Sequence, residues 1–274
     1  MYQQGIYRRR GTGCNVRLLM AVALVVISLI TYYSSQTTNP VTNEVQHISM
    51  SPDQEIAMGL QAAPAIASEY GGLDPSMPDQ IRVQQIGRRI VQDTAAHTTP
   101  YQFAYHLLAD AQTVNAFALP GGQVFITRGL YNMLESDGEL AAVLGHETGH
   151  VVARHSAEQI AKAQLTEGLT GAAVIAACDP NNPNGCLAAS EVAAVVAQLI
   201  NMKYSRSDET EADWLGVCFM QESGYDPQDM IRLMQILDSL SQGNSMPEML
   251  SSHPDPGNRI VQIQGDIQNM GQCP

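Results

Sequence analysis

Residues 136–155 of this chain read SDGELAAVLGHETGHVVARH, which is the pattern of a capped helix. Its first serine, with a glutamate three positions later, forms the capping-box signature of a helix N-terminus. His146 and His150 are four positions apart, which places both imidazoles on one helix face about one turn from each other. Two histidine nitrogens so placed can bind one Zn²⁺ at about 2.1 Å, and Glu147 beside them can accept a proton from water on the metal. The stretch therefore predicts a helix that supplies two ligands and a base to a zinc site.

A catalytic zinc site needs a third protein ligand and keeps one position open. The metzincin pattern would place a histidine at position 156, where this chain has Ser156, so that class is excluded. The later segment 205–216, SRSDETEADWLG, offers three acids. Glu209 and Asp213 share a helix face, so one can bind the metal while the other accepts a hydrogen bond from a ligand histidine. Glu211 points about 160° away on the helix and is the poorer candidate.

Composition limits the classes of partner. The 274 residues carry 14 Lys and Arg against 27 Asp and Glu, a formal net charge of −13, and 45% are hydrophobic. A chain of this composition buries a sizeable core, which excludes a disordered protein. Binding to nucleic acid needs a basic face, and the basic side chains of the body are few and scattered. We therefore expect no nucleic-acid partner.

The N-terminus has the pattern of a membrane anchor. Residues 18–33, LLMAVALVVISLITYY, are uncharged and follow a basic segment without acids. As a helix this run reaches about 24 Å, close to the roughly 30 Å hydrocarbon core of a bilayer. A cleaved signal peptide is the alternative, although two tyrosines stand where cleavage needs small side chains. The charge asymmetry predicts a cytoplasmic basic segment at 1–17, a transmembrane signal anchor at 18–33, a polar linker at 34–50 and an extracytoplasmic body at 51–274.

The body predicts an α+β fold that is mostly helical with a small β-sheet. A helix that begins after Ser51 is expected to run to about Tyr70, bent or interrupted at Pro64, and a second helix near 78–94. The run LTGAAVIAAC at 169–178 is too short to span a bilayer and predicts a core helix, with contact to the membrane surface as the alternative. Short aromatic and β-branched runs predict strands near 101–108, 113–118 and 123–127.

Four cysteines lie in the predicted extracytoplasmic body, whereas Cys14 precedes the anchor. Cys178 and Cys186 flank the turn-rich sequence DPNNPNG, which predicts a disulfide between them. Cys218 and Cys273 would then tie the C-terminal tail to a helix. Free buried thiols are the alternative for all four residues.

Four segments, taken in order, resemble one family. They read NAFALPGG at 115–122, HETGHVVARH at 146–155, SRSDETEADWLG at 205–216 and SSHPDPGNRI at 251–260. This set is similar to the HtpX and CAAX-prenyl-protease-type zinc endopeptidases, and most to their single-span periplasmic and Oma-type members. The likeness extends from about residue 51 to 270 and implies a minigluzincin-type core.

The resemblance also implies roles for individual residues. One zinc ion per chain would be bound by His146, His150 and Glu209, with Glu147 as the catalytic base and Asp213 supporting a ligand histidine. His253 and Arg259 would lie over the site as further catalytic residues, where either could contact the negative oxygen of the reaction intermediate. His253 has three readings: it stabilises the reaction intermediate, it binds zinc as a fourth ligand and holds the enzyme inactive, or it is structural. Its replacement by alanine would lower activity on the first reading and raise it on the second.

The substrate is expected at a strand edge. Gly121 and Gly122 follow the strand predicted at 113–118, which indicates an exposed edge where an extended peptide could pair. Asn115, Ala116 and Phe117 are therefore the predicted substrate-binding residues. Because backbone pairing makes few demands on sequence, we expect broad specificity for extended or unfolded polypeptides.

The sequence as a whole predicts a membrane-anchored zinc endopeptidase that degrades misfolded or misassembled envelope proteins. The expected location is the inner membrane, crossed once, with the catalytic domain in the periplasm or another extracytoplasmic space. The alternative is a zinc-stabilised chaperone or adaptor that does not cleave, and an aminopeptidase is a weaker third reading. Glu147 argues against the adaptor, because a binding-only site has no need of a proton acceptor beside the ligands.

Overall fold

The computed structural model describes residues 12–177, 203–241, 247–269 and 273–274. Ten helices and five strands are described, and the α+β prediction of a mostly helical chain with small sheets is confirmed. The helices are α1 Thr12–Ser34, α2 Pro52–Glu69, α3 Met77–Asp93, α4 Arg128–Tyr131, α5 Asp137–Val152, α6 His155–Ala177, α7 Arg206–Glu222, α8 Gln228–Ser241, α9 Glu248–Ser252 and α10 Pro256–Gln268. The strands are β1 Gln36–Thr38, β2 Val45–His47, β3 Ala104–Leu108, β4 Ala116–Leu119 and β5 Gln123–Thr127.

The larger sheet has the order β3-β5-β4, with β3 parallel and β4 antiparallel to the central strand. Strands β3 and β4 are shorter than predicted, whereas β5 has the predicted bounds. Before Ala116 the Thr127 hydroxyl accepts from the Asn115 N–H and donates to the Thr113 carbonyl, and the Thr127 N–H still donates to the Asn115 carbonyl. The strand that carries the predicted substrate-binding residues therefore lies at one edge of the sheet.

The predicted break at Pro64 does not occur. Helix α2 continues through this proline to Glu69, and its first turn is fixed by a reciprocal capping box between Ser51 and Gln54. A proline removes one backbone donor and crowds the preceding turn, but tertiary contacts can still hold such a helix together. Ala62 and Ile66, on either side of Pro64, are buried in the core and supply such contacts.

Helix α5 forms the centre of the molecule, with every residue after Asp137 buried. It crosses α7 at small residues. A Cβ at Gly149 would lie 3.0 Å from the Ala212 carbonyl, and one at Gly216 would lie 3.2 Å from the His146 nitrogen. Because no side chain separates the two backbones, polar groups on α5 and α7 come within contact distance of each other.

The segment predicted as a polar linker contains a β-hairpin of β1 and β2 that binds the body. The Asn39 amide donates to the Val152 carbonyl at 2.9 Å, and the Gln46 amide donates to the Ala153 carbonyl. Both carbonyls belong to the last turn of α5, where a helix leaves acceptors without partners. The hairpin thus caps the central helix and joins the N-terminal segment to the core.

Helix α1 is the one described helix that is long and apolar enough to cross a membrane, over Val16–Ser34, with a mean hydropathy of 2.1. It packs against α6. Leu169 on α6 is 37% exposed, so the core helix predicted for 169–178 is wrong at this position. This part of α6 lies beside α1.

A disulfide joins Cys218 of α7 to Cys273 in the C-terminal tail. This is the pairing that would tie the tail to a helix. The predicted partners Cys178 and Cys186 lie outside the described residues.

Candidate metal centre

Four buried side chains from three elements converge at the crossing of α5 and α7. His146 and His150 come from α5, Glu209 from the first turn of α7 and His253 from the turn after α9. One ligand atom of each lies within 4.8 Å of those of the other three. The Nε2 atoms of the two α5 histidines are 3.0 Å apart, and the Nδ1 atom of His253 lies 2.9 Å from a Glu209 oxygen.

The chemistry of this group fits a zinc ion. Three imidazole nitrogens and a carboxylate oxygen are the ligands that zinc prefers, and four of them suit its tetrahedral coordination. All four residues are at most 1% exposed. Burial of three imidazoles and a carboxylate in one group costs free energy unless a cation or hydrogen-bond donors compensate for the lost hydration.

Glu147 lies beside this group and is fully buried. Neither carboxylate oxygen has a hydrogen-bond partner, and the nearest imidazole nitrogen, Nε2 of His253, is 3.6 Å away. Burial raises the pKa of Glu147 above its ordinary value, although His253 and His146 oppose this shift. A carboxylate with free lone pairs and a raised pKa is suited to accept and return a proton.

The other titratable groups have pKa values set by their neighbours. Burial favours the neutral form of Glu209, but the nearby His253 and Arg259 outweigh it and hold its pKa well below the ordinary value. Burial lowers the pKa of His150 strongly. Burial also opposes protonation of His253, but Glu209 and Glu147 raise its pKa. These shifts favour a charged Glu209 beside a neutral His150. Carboxylates and imidazoles bind a metal ion in these protonation states.

Asp213 lies one turn after Glu209 and contacts His146 from behind. Its carboxylate is 3.0 Å from Nδ1 of His146, which leaves Nε2 pointing into the group. Arg259 of α10 donates to both oxygens of Asp213 and lies 2.6 Å from Glu209. Since its guanidinium is bound to two carboxylates and buried, Arg259 holds these acids in place.

His150 has a different partner, His155, whose place five positions later predicts a supporting or packing residue and not a ligand. Its Nδ1 lies 2.9 Å from Nδ1 of His155, and the Nε2 of His155 lies 3.1 Å from Glu211. Glu211 was the acid judged the poorer candidate, and it does point away from Asp213. Glu211 contacts His155 because the chain turns at Arg154, which has φ +59°, and α6 begins at His155.

Tyr204 was missed, since no spacing marks it. Its ring stacks on His150 with centroids 4.0 Å apart, and its hydroxyl lies 3.0 Å from the Ser156 hydroxyl. Burial raises the pKa of Tyr204 well above its ordinary value, so the hydroxyl stays protonated at neutral pH. The ring closes one side of the group of ligands.

The predicted substrate-binding residues lie against the segment that carries His253. The Asn115 amide donates to Glu248 at 2.9 Å, and Tyr70 donates to the same carboxylate. The Met249 N–H donates to the Val114 carbonyl just before β4. Ala116 is buried, whereas Phe117 is half-buried and stacks on Phe125. Helix α9 therefore covers the start of the edge strand.

Comparisons with known proteins agree with this geometry. The sequence model of peptidase family M48 matches residues 78–267. The mitochondrial metalloendopeptidase OMA1 of Schizosaccharomyces pombe is 31% identical over 88% of this chain and 69% of its own length. The beta-barrel assembly-enhancing protease of Yersinia pestis is 32% identical over 82% of this chain, and OMA1 of Saccharomyces cerevisiae is 29% identical over 84%. The chain spans about two thirds of the OMA1 relatives but only 46% of the Yersinia protein.

Proposed function

The chain belongs to peptidase family M48 and is a zinc metalloendopeptidase, and from this premise we propose that it is a membrane-anchored enzyme that cleaves misfolded or misassembled envelope proteins. Family membership confirms the resemblance inferred from the four sequence segments. In our proposal His146, His150 and Glu209 bind the zinc ion and Glu147 is the catalytic base. The observation that carries it is the convergence of these side chains beside an unbonded, buried carboxylate.

The residues of this chain divide the work of peptide hydrolysis. A zinc ion held by the three ligands would supply a Lewis acid that polarises the scissile carbonyl and makes water more acidic. Glu147 would take the proton from the attacking water and deliver it to the leaving amine, as its raised pKa favours. Asp213 and Arg259 would keep His146 and Glu209 oriented.

We further propose that His253 is a fourth ligand in the resting enzyme. Its Nδ1 is 3.3 Å from Nε2 of His146, which places it among the ligand atoms and not above them. Access of a substrate carbonyl would then require His253 to leave. Since His253 ends α9, the same movement would uncover the edge of β4 near Asn115.

An extended polypeptide is the substrate that suits this edge. A peptide paired with β4 would bind through its backbone, so an unfolded segment of almost any sequence could be held. Folded proteins offer few such segments, whereas misfolded or misassembled chains offer many. One of the relatives is named as a protease that enhances β-barrel assembly, which supports clients in the cell envelope.

The anchor is supported by its contacts with the body. Tyr32 at the end of α1 stacks on His47 of β2 with centroids 4.3 Å apart, and its carbonyl is 2.9 Å from Nδ1 of the same histidine. A segment meant for removal has no need of such contacts. We propose that α1 remains, crosses the inner membrane once and leaves the catalytic domain in the periplasm or an equivalent space.

The test uses the full chain in phospholipid vesicles with unfolded casein as substrate. Glu147→Gln should lower the rate about 10²–10⁴-fold and leave bound zinc unchanged, because the base is lost but no ligand is. Glu158→Gln, on the surface-facing part of α6, is the matched control and should cleave normally. Equal turnover by wild type and Glu147→Gln would contradict the proposal, and casein binding without turnover by either would favour the adaptor.

A further inference from the structure

Helix α6 has contacts that the catalytic function does not require. It leaves the metal centre at His155 and lies against α1, which runs in the opposite direction. The two helices approach closely where a Cβ at Gly168 would overlap the side chain of Ser28. Ser28 lies within the apolar run of α1, about two thirds of the way from Val16 to Ser34 and about 9 Å along the helix from Ser34.

The contact extends in both directions from this point. Buried or half-buried residues recur every three or four positions on each helix, as expected for two helices packed side by side. On α1 they include Ala21, Val25, Ser28 and Tyr32, and on α6 they include Ala161, Leu165, Gly168 and Ala172. Ala21 is 6% and Ala172 is 2% exposed, although neither is near the core of the body.

Part of the described surface of this helix pair is apolar and exposed. On α1, Val22, Ile27 and Ile30 are exposed. On α6, Glu167 is the last charged residue, and Gly168–Ala177 contains none. Such a surface is stable in hydrocarbon, and small residues at the contact are typical of helices that pack within membranes. In water it would expose a contiguous apolar patch.

We infer that Gly168–Ala177 of α6 lies among the acyl chains of the bilayer beside α1. This inference rests on the proposed anchoring and extends it from one embedded helix to two. The argument is geometric: if the apolar run of α1 lies in the membrane, then a helix that contacts this run at Ser28 and continues along it lies there too. Glu167, the last charged residue of α6, lies three residues, about 4.5 Å along the helix, from Gln164, which is near the level of Tyr32.

Two embedded helices would fix the distance of the active site from the membrane surface. Gln164 of α6 accepts a hydrogen bond from Ser49 near the level of Tyr32, and His155 lies nine residues earlier, about 14 Å along the helix. An extended peptide covers that distance with about four residues. The metal centre would then reach peptide bonds in the juxtamembrane segments of membrane-bound polypeptides.

Quenching of tryptophan fluorescence by brominated phospholipids tests this directly. The sole tryptophan is replaced in the full chain by Trp214→Phe, and one tryptophan is introduced at a time into exposed apolar positions. Leu169→Trp tests α6, Ile27→Trp is the control within α1, and Val261→Trp is the control on the body, where this side chain is 72% exposed. Casein cleavage by each variant reports that it is folded.

We expect Leu169→Trp to lose about as large a fraction of its fluorescence as Ile27→Trp, in vesicles whose lipids carry bromine in the acyl chains. Val261→Trp should lose almost none. Quenching of Ile27→Trp without quenching of Leu169→Trp would overturn the inference and leave the anchor intact. Quenching of neither would overturn the anchor itself, so the two failures are distinguishable.

Discussion

The two histidines of α5 are supported by different groups on opposite sides of the metal centre. His146 contacts the carboxylate of Asp213, which is fully buried and bound by Arg259. His150 contacts the imidazole ring of His155, and Glu211 follows only beyond that ring. A carboxylate in direct contact increases the basicity of a ligand histidine more than a relay through a second imidazole does.

The two supports also differ in their access to solvent. Asp213 is 0% exposed, whereas the side chain of Glu211 is 20% exposed and lines a cavity of ≈ 760 Å³ between the hairpin, α6 and α7. Charge interactions weaken as water approaches, so the support of His150 should contribute less than that of His146. The two ligand histidines of one motif can therefore receive unequal electrostatic support. The zinc affinities of variants in the supporting acids measure this difference.

Loss of Glu209 should have the largest effect, because this acid is shared by the two sides. Its oxygens lie 3.6 Å from Nε2 of His146 and 3.4 Å from Nε2 of His150. Glu209→Gln should weaken zinc binding by more than the roughly 100-fold that loss of a supporting residue can cause, and abolish cleavage. Competition with a chelator measures the affinity. Retention of wild-type affinity would show that another acid is the ligand.

Asp213→Asn should come second. The change leaves the shape of the side chain but removes the charge that faces Arg259, so zinc affinity should fall about 10–100-fold. The free energy of unfolding should fall on the order of 3 kcal/mol, because a buried ion pair is broken. Asp208→Asn, on the same helix but in contact with Gln159, should leave zinc affinity unchanged. An equal loss of affinity in both variants would rule out a specific role for Asp213.

His253→Ala should change the rate of casein cleavage. Whether the rate rises or falls distinguishes the possible roles of this residue. If His253 occupies the fourth position at rest, its removal should raise casein cleavage several-fold and lower zinc affinity. The conservative variant His253→Gln, which keeps a polar side chain, should show a smaller increase. A fall in turnover with zinc affinity unchanged would instead assign His253 to stabilisation of the intermediate, where loss of one contact costs on the order of 3 kcal/mol.

Helical spacing predicted the support of His146 but not the contact of His150 with His155. Asp213 follows Glu209 by one turn, so the sequence alone placed both acids on one face, and the structure places them together. Counted along one continuous helix, His155 is five positions past His150, so the sequence predicts that it lies off the ligand face and supports or packs against the site. The chain in fact turns at Arg154 and starts α6, and this break returns the ring of His155 to within 5.0 Å of His150.

Long-range hydrogen bonds account for the other differences. Polarity alone indicated a linker at 34–50, yet Asn39 and Gln46 find acceptors at the end of a helix more than 100 positions away. The contact of Glu248 with Asn115 likewise joins segments that no sequence motif relates. Periodicity and caps are local signals, so they predict elements well and predict the pairing of distant polar groups poorly.

Glu211→Gln should have the smallest effect and is the sharpest test of the comparison. The amide keeps a hydrogen-bond acceptor for His155 but removes the negative charge, so zinc affinity should fall about tenfold or less, below the loss in Asp213→Asn. Glu158→Gln removes a carboxylate that lines the same cavity and should leave affinity unchanged. A loss equal to that of Asp213→Asn would mean that the relay through His155 transmits charge as well as direct contact does, and that the two sides are equivalent.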